Sequence, residues 1–146
     1  MIDHVWTVVC SRAVIDQDSN NVSLQNVVEQ LNISGEPGHV VIPMSLDIVT
    51  LWARAKVEVP AGGLARVTFL SPSGVATDSP FEYNVDLSEH RRYRSRGRIQ
   101  PLHIEEAGRH AFRVELQEES ETGWHQVASI PLEISFTPPE GSEQAE

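Results

Sequence analysis

Short apolar segments with a period of two, separated by turn residues, constrain the fold of this chain more than any other sequence feature. Such segments recur about every 8–12 positions. In the clearest one, Phe112, Val114 and Leu116 alternate with charged and polar residues, and Phe81–Leu87 repeats the pattern. Alternation with this period places the apolar side chains on one face of a strand. We therefore predict a chain built from β-strands, without helices.

The spacing of these segments predicts about eight or nine strands, arranged as a two-sheet antiparallel sandwich of immunoglobulin-like type. A closed barrel is the competing architecture, and periodicity does not separate the two. The polar turn 16–21 predicts an opening hairpin. Val40–Ile42 ends at Pro43, which predicts an edge strand. The expected strands span 4–15, 22–33, 40–42, 46–59, 64–70, 81–87, 99–104, a segment around Phe112, and 124–136.

The length of 146 residues fits one domain. We predict a single β-sandwich domain over 1–137 and a flexible acidic tail over 138–146, which has no apolar residue larger than alanine.

The single cysteine, Cys10, excludes an intrachain disulfide. Small secreted β-domains usually carry disulfides, and no basic leader precedes the first apolar stretch, so we expect a cytoplasmic protein. No apolar run approaches the ~20 residues that span a bilayer, and we expect no membrane segment.

The charge of the chain is negative and unevenly distributed. The formal net charge is −10, and five of the eleven basic residues lie between Arg91 and Arg98. Without those five, the rest of the chain carries −15. A surface of this sign repels duplex phosphate and anionic lipid. We therefore expect neither whole-domain nucleic-acid binding nor membrane binding, and instead expect a protein partner or self-association.

The arginine segment, residues 90–98, is the candidate binding site. If it is extended, its alternate arginines share one face and form a cationic stripe. Guanidinium groups bind carboxylate or phosphate through two hydrogen bonds, and Tyr93 offers a ring on which a base can stack. The alternative is structural, because the stripe can pair with acidic strands of the same chain, such as the face with Glu82 and Asp86. The candidate binding residues are Arg91, Arg92, Tyr93, Arg94, Arg96 and Arg98.

Patterns for metal binding are weak. The turn 16–21 begins with the D-x-D-x-N spacing of an EF-hand calcium loop, but Asn21 stands where glycine is required and Val27 where the bidentate glutamate belongs. A polar hairpin turn explains these residues better. Three histidines lie on segments that can be neighbours in one sheet, but they lack close spacing and a joining cysteine: His103, His110 and His125. We predict no metal site.

Catalytic patterns are equally weak. Cys10 lies in the middle of an apolar strand, where burial makes a thiol unreactive. The glutamate pairs at 105–106 and 118–119 lie in turns, where solvation explains them better than acid–base chemistry. The sequence has no nucleophile elbow and no glycine-rich phosphate loop. We therefore predict that the chain is not an enzyme and uses no cofactor.

The first hairpin and several later strands carry recurring structural motifs. The segments are Val5–Cys10, Asn20–Val27, Val67–Gly74, Gly108–Leu116 and Ile130–Ile134. Together they resemble a group of small bacterial and phage proteins that form a domain of unknown function. In that group the first hairpin reads as strand, polar turn, and a serine-leucine element. The resemblance extends over nearly the whole chain up to the tail and implies a β-sandwich, but it implies no catalytic or binding residue.

Two functions follow from these patterns. The preferred hypothesis is a non-enzymatic protein-interaction or structural module, which uses an edge strand or a sheet face. The surfaces to test are the edge at Val40–Ile42 and the arginine stripe. The alternative is a small-ligand or carbohydrate-binding β-sandwich with Trp52 or Trp124 as its platform. A tryptophan fluorescence response to sugars would favour the second function, and a captured protein partner the first.

Overall fold

The computed structural model describes residues 1–36, 38, 40–42, 45–99 and 101–137. All regular secondary structure in these ranges is β, which confirms the predicted class, and no helix that could span a membrane is found there. The predicted tail, 138–146, lies outside the described residues. The strands are β1 (Ile2–Ile15), β2 (Val22–Val27), β3 (Gln30–Ser34), β4 (Val40–Ile42), β5 (Leu46–Arg54), β6 (Ala61–Leu70), β7 (Phe81–Leu87), β8 (Arg92–Ile99), β9 (Leu102–Ile104), β10 (Gly108–Glu118) and β11 (His125–Thr137).

These strands form two larger sheets and a two-stranded ribbon. The first sheet has the order β2-β1-β5-β8, and each of its pairings is antiparallel. The second sheet has the order β3-β11-β10-β6-β7, and β4 pairs with β9 in the ribbon. The two larger sheets enclose the main apolar core, which agrees with the predicted two-sheet, sandwich-like arrangement.

The prediction of one long strand over 22–33 was wrong, and the predicted antiparallel pairing holds for the first sheet but not for all of the second. Asn26 has a φ of 55°, in the left-handed region, and the backbone N–H of Val28 donates to the Val9 carbonyl oxygen at 2.8 Å. This turn ends β2 in the first sheet and sends the chain to the second sheet, where β3 pairs with β11 in parallel. The second sheet is therefore mixed, because a strand that crosses between sheets need not reverse its direction relative to its new neighbour.

Three other strand boundaries differ from the prediction. β5 ends at Arg54 rather than at residue 59, and β6 already begins at Ala61. The segment 99–104 does not form one strand, because Ile99 ends β8 and Leu102 begins β9. Pro101, which has no N–H to donate to a ladder, precedes β9. β4 pairs only with β9 among the described residues, which agrees with its predicted edge position.

The core between the sheets contains apolar side chains of the central strands of both sheets. Phe112, Val114 and Leu116 of β10 are fully buried, as their alternation predicts. Trp52 of β5 is also fully buried, and its indole Nε1 donates to the Tyr83 hydroxyl at 3.2 Å. This bond satisfies the one polar atom of the largest core side chain. The space between the two sheets is therefore filled by a buried apolar core.

A second, smaller cluster lies on the outer face of the first sheet. Cys10, Ala13 and Val49 are buried there, and Trp6, Val22 and Leu24 pack against them. The cluster forms because the β1–β2 hairpin covers the outer face of β5, opposite the side that carries Trp52. This small outer cluster explains why both faces of β1 are apolar in the sequence.

Replacing Phe112 with alanine should lower the free energy of unfolding by about 3–5 kcal/mol, because a fully buried ring leaves a cavity that its neighbours fill only in part. Val75→Ala is the matched control, since Val75 is 61% exposed. We expect the control to change stability by less than about 0.5 kcal/mol. Urea denaturation measures both values, and a small loss of similar size in the two variants would contradict the proposed core.

Candidate functional site

The arginine segment forms strand β8 at the edge of the first sheet. Its register with β5 pairs Arg92 with Ala53 and Arg98 with Asp47. Because the strand is extended, its alternate arginines lie on the outer face of the sheet, beside the small outer cluster. The arginine stripe therefore consists of Arg92, Arg94, Arg96 and Arg98.

Tyr93 does not belong to this stripe. It lies opposite Trp52 in the β5–β8 register, is half-buried, and packs against the main core between the sheets. Its side chain therefore faces away from the neighbouring arginines, and stacking of a base between Tyr93 and the stripe does not fit this arrangement.

Arg98 ties the edge strand to a buried carboxylate. Its Nε donates to Asp47 Oδ1 at 3.1 Å, and Asp47 has an exposed fraction of only 1%. The other carboxylate oxygen, Oδ2, accepts the backbone N–H of Ala13 at 3.0 Å. One carboxylate thus connects β8, β5 and the β1 arm of the hairpin. Burial of this charge is tolerated because both oxygens accept hydrogen bonds, which offset the cost of desolvation.

Arg94 and Arg96 hold the hairpin through neutral oxygens. Both terminal nitrogens of Arg94 donate to the Asn20 carbonyl oxygen at 3.1 Å, and Nη1 of Arg96 donates to the Ala13 carbonyl oxygen at 3.4 Å. Asn20 has a φ of 60°, the left-handed conformation expected of an asparagine in a tight turn. Carbonyl acceptors carry no net charge, so these bonds position the guanidinium groups without neutralising them.

The predicted internal pairing of the stripe therefore exists, but with other partners. Glu82 and Asp86 lie on β7, in the second sheet, and neither contacts an arginine of the stripe among the described residues. Asp86 instead accepts hydrogen bonds from Ser88, which lower the pKa of its carboxyl group. The stripe pairs with the hairpin because the hairpin lies over the same outer face.

Arg91 and Arg92 are the least engaged cations of the segment. Arg91 has its side chain 70% exposed, and its Nη2 lies 3.8 Å from Oε1 of Glu58, which is itself 87% exposed. An exposed pair at this distance contributes little. The guanidinium of Arg92 is exposed and makes no hydrogen bond or ion pair with the described residues. The start of β8 therefore presents positive charge to solvent.

A groove runs beside this end of β8, between the strand and the tip of the hairpin. Apolar side chains of Trp6, Val22 and Leu51 line it, together with the tip asparagines. Its charged lining consists of three arginines and one glutamate, with His90 next to them: Arg91, Arg92, Arg94 and Glu89. The candidate residues identified from the sequence do not include Trp6. The two-sided apolar pattern of β1 was the available signal, but it does not show what covers the second face.

The three candidate histidines do not converge. His103 Nδ1 lies 2.7 Å from Asp78 Oδ1, and His125 Nδ1 lies 3.6 Å from Glu121 Oε1. His110 is fully buried and stacks on Phe69 with ring centroids 5.3 Å apart. In the part of the chain that the structure describes, no group of three or more metal-ligating side chains is positioned to hold an ion.

Hydrogen bonds within the polar turn 16–21 stabilise the tip of the β1–β2 hairpin. Asp16 Oδ2 accepts the Ser19 hydroxyl at 2.6 Å and the Ser19 backbone N–H at 3.3 Å. These bonds lower the pKa of Asp16. The Asn20 backbone N–H also donates to the Asp16 carbonyl oxygen at 2.8 Å. This is the predicted polar hairpin turn, with the aspartate capping its own backbone.

Cys10 is fully buried in the small outer cluster. Burial raises the pKa of its thiol, and the nearby negative charge of Asp47 raises it further. Both effects disfavour the thiolate, which is the reactive form. The position matches the predicted buried, mid-strand cysteine.

Neither tryptophan proposed as a sugar platform offers an open ring. Trp52 is fully buried, so its assignment as a platform was wrong. Trp124 is half-buried, and the guanidinium of Arg66 lies 4.1 Å from its ring centroid. Arg66 is held there by Glu115, whose Oε1 accepts from Nε at 2.9 Å. The guanidinium of Arg66 therefore covers one face of the Trp124 ring.

Comparison with known proteins finds no matching family model and no matching curated protein. Among solved structures, a family 123 glycoside hydrolase from Clostridium perfringens is similar at 9% identity and a TM-score of 0.37, over 94% of this chain and 28% of that chain. The N-terminal domain of PorA is similar at 9% identity and a TM-score of 0.29, over 90% of this chain and 98% of that chain. This chain thus spans 28% of the length of the hydrolase that it matches.

Replacing Asp47 with alanine should loosen the hairpin, because it removes the acceptor shared by Ala13 and Arg98. We expect a loss of about 2–3 kcal/mol in the free energy of unfolding, since hydrogen bonds to a charged group contribute more than neutral ones. Cys10 should also become accessible to a thiol reagent under native conditions. Asp3→Ala, at an exposed position of β1, is the control. Unchanged stability together with a protected Cys10 would show that the carboxylate does not hold the hairpin.

Proposed function

We propose that this chain is a non-enzymatic interaction module that binds an acidic segment of a partner protein at the start of β8. The observation that carries the proposal is the exposed guanidinium of Arg92, which has no acceptor among the described residues. Arg91 is held only by a long, exposed ion pair, and Arg94 only by neutral oxygens. On a chain with a net charge of −10, these groups concentrate positive charge at one place.

Charge distribution favours a short acidic segment over nucleic acid. A long polyanion that reached the arginine segment would also approach the remainder of the chain, which carries −15. Repulsion of this kind extends over about one Debye length, roughly 8 Å at physiological salt. A short acidic peptide interacts with the local patch alone. Arginine is also well suited to it, because its planar group binds carboxylate through two hydrogen bonds.

The position of β8 supports binding by strand addition. Among the described residues it pairs only with β5, so its other backbone edge has no ladder partner, which is the arrangement that strand addition requires. Two copies of β8 that paired with each other would bring arginines close to arginines, which destabilises a strand pair. The partner at this edge is therefore a chain of opposite charge. Self-association would use a different edge, and the sequence analysis indicated Val40–Ile42.

We also propose that the two sheets form an immunoglobulin-like sandwich, supported by the buried Trp52 between them. A bacterial or phage origin and a cytoplasmic location remain proposals based on the sequence. The proposed cytoplasmic location is supported by a buried thiol in a chain that has a single cysteine.

Binding of a fluorescein-labelled peptide of alternating glutamate and threonine, followed by anisotropy, tests the proposal. The wild-type chain should bind this peptide, and added salt should weaken the binding. The R91S/R92S double variant should bind about three- to tenfold more weakly, since each exposed charge pair contributes a fraction of a kcal/mol to about 1 kcal/mol. Arg109→Ser is the matched control, because Arg109 is 71% exposed and has a comparably long ion pair to Glu133, at 3.9 Å.

The proposal fails if Arg109→Ser weakens binding as much as the double variant does. It also fails if a peptide with glutamine in place of glutamate binds equally well. An oligothymidylate that binds and displaces the glutamate peptide would replace the protein partner with single-stranded nucleic acid.

A further inference from the structure

We infer that the groove beside the start of β8 is a pocket for one bulky apolar side chain within the acidic segment. This inference rests on the proposed function and adds a specificity to it. The ligand class is then an extended acidic peptide with a single aliphatic or aromatic anchor residue, rather than an acidic peptide of any composition.

The lining of the groove carries the first part of this inference. Trp6, Val22 and Leu51 contribute apolar surface that is only half-buried in the domain itself. A side chain that entered the groove would remove the rest of this surface from water, which is the main source of affinity in a pocket of this kind. The indole N–H of Trp6 makes no hydrogen bond with the described residues, so it is available to a carbonyl oxygen of the peptide.

The rigidity of the groove wall is the second part. The hairpin tip is closed by the hydrogen bond between the Asp16 backbone N–H and the Asn21 carbonyl oxygen, at 2.9 Å. Arg94 fastens the same tip to β8 through the carbonyl and side-chain oxygens of Asn20, the latter at 3.3 Å. Because both sides are fixed before a ligand arrives, little ordering entropy is lost on binding. The groove is thus preformed.

The charges around the groove indicate which residues should flank the apolar anchor residue in the ligand. Arg92 and Arg94 project from one face of β8, two residues apart along the strand. Both arginines line the groove, so a carboxylate next to the anchor would lie close to a guanidinium group. Glu89, the acidic residue of the lining, disfavours a ligand with further negative charge at that end.

Affinity measurements with two labelled peptides test the pocket. Both alternate glutamate with threonine, and the central residue is leucine in one and serine in the other. The wild-type chain should prefer the leucine peptide by about tenfold or more, as expected for burial of one aliphatic side chain. Leu51→Gln should reduce this preference to about twofold or less, because it removes part of the apolar lining. The R91S/R92S variant should weaken both peptides equally and keep the preference.

Two controls separate pocket loss from misfolding. Val5→Gln changes an exposed apolar residue of β1 that does not line the groove, and it should leave the preference intact. If the leucine side chain enters the groove, an unlabelled leucine peptide should change the tryptophan fluorescence of the wild-type chain. Trp6→Phe keeps an aromatic ring in the small outer cluster and should abolish that change. Urea denaturation verifies that each variant is folded.

The outcomes distinguish this inference from the function on which it rests. Equal affinity of the wild-type chain for the two peptides overturns the pocket and leaves the acidic-segment proposal standing. Binding of neither peptide overturns both. A leucine preference that persists in Leu51→Gln places the anchor elsewhere and also overturns the pocket.

Discussion

The buried carboxylate of Asp47 links the β1–β2 hairpin to the edge strand β8 across the outer face of the first sheet. It accepts from the Ala13 backbone on one side and from the Arg98 guanidinium on the other. These two bonds hold the β1–β2 hairpin against the outer face of the first sheet. The small outer cluster, with Cys10 at its centre, forms only because the hairpin stays there. The groove beside β8 depends on the same contact, since the hairpin tip is one of its walls.

The arginines at the two ends of the segment differ in their contacts, and in the proposed function they also differ in their roles. Arg98 neutralises a buried charge, whereas Arg94 and Arg96 bond to carbonyl oxygens and keep their own charge. Arg91 and Arg92 precede or begin the strand, next to the groove, and remain largely solvated. The structural interpretation therefore applies to Arg94, Arg96 and Arg98. The proposed binding role concerns the other end of the strand, at Arg91 and Arg92.

Local patterning predicted the elements whose environment is set within one strand. The bounds of β7 (Phe81–Leu87) and the buried face of β10 around Phe112 follow directly from alternation with a period of two. The change of sheet near Asn26 was not predictable in this way, because a single left-handed residue redirects the chain without altering its apolar pattern. The site was predicted in part. The arginines were identifiable because basic residues are concentrated in one segment of the sequence. The position of Trp6 in the groove depends on a contact between the hairpin tip and β8, and hydrophobic periodicity does not predict contacts between distant segments.

An NMR titration of the isotope-labelled chain with the leucine-containing glutamate peptide tests the account most directly. The account predicts that amide signals of residues 91–94 and of the hairpin tip 20–22 shift together with the indole N–H of Trp6. Residues on the outer face of the second sheet, around Arg66 and Trp124, should not respond. Shifts centred on that second surface, with the signals of the arginine segment unchanged, would contradict the assignment of the site to β8.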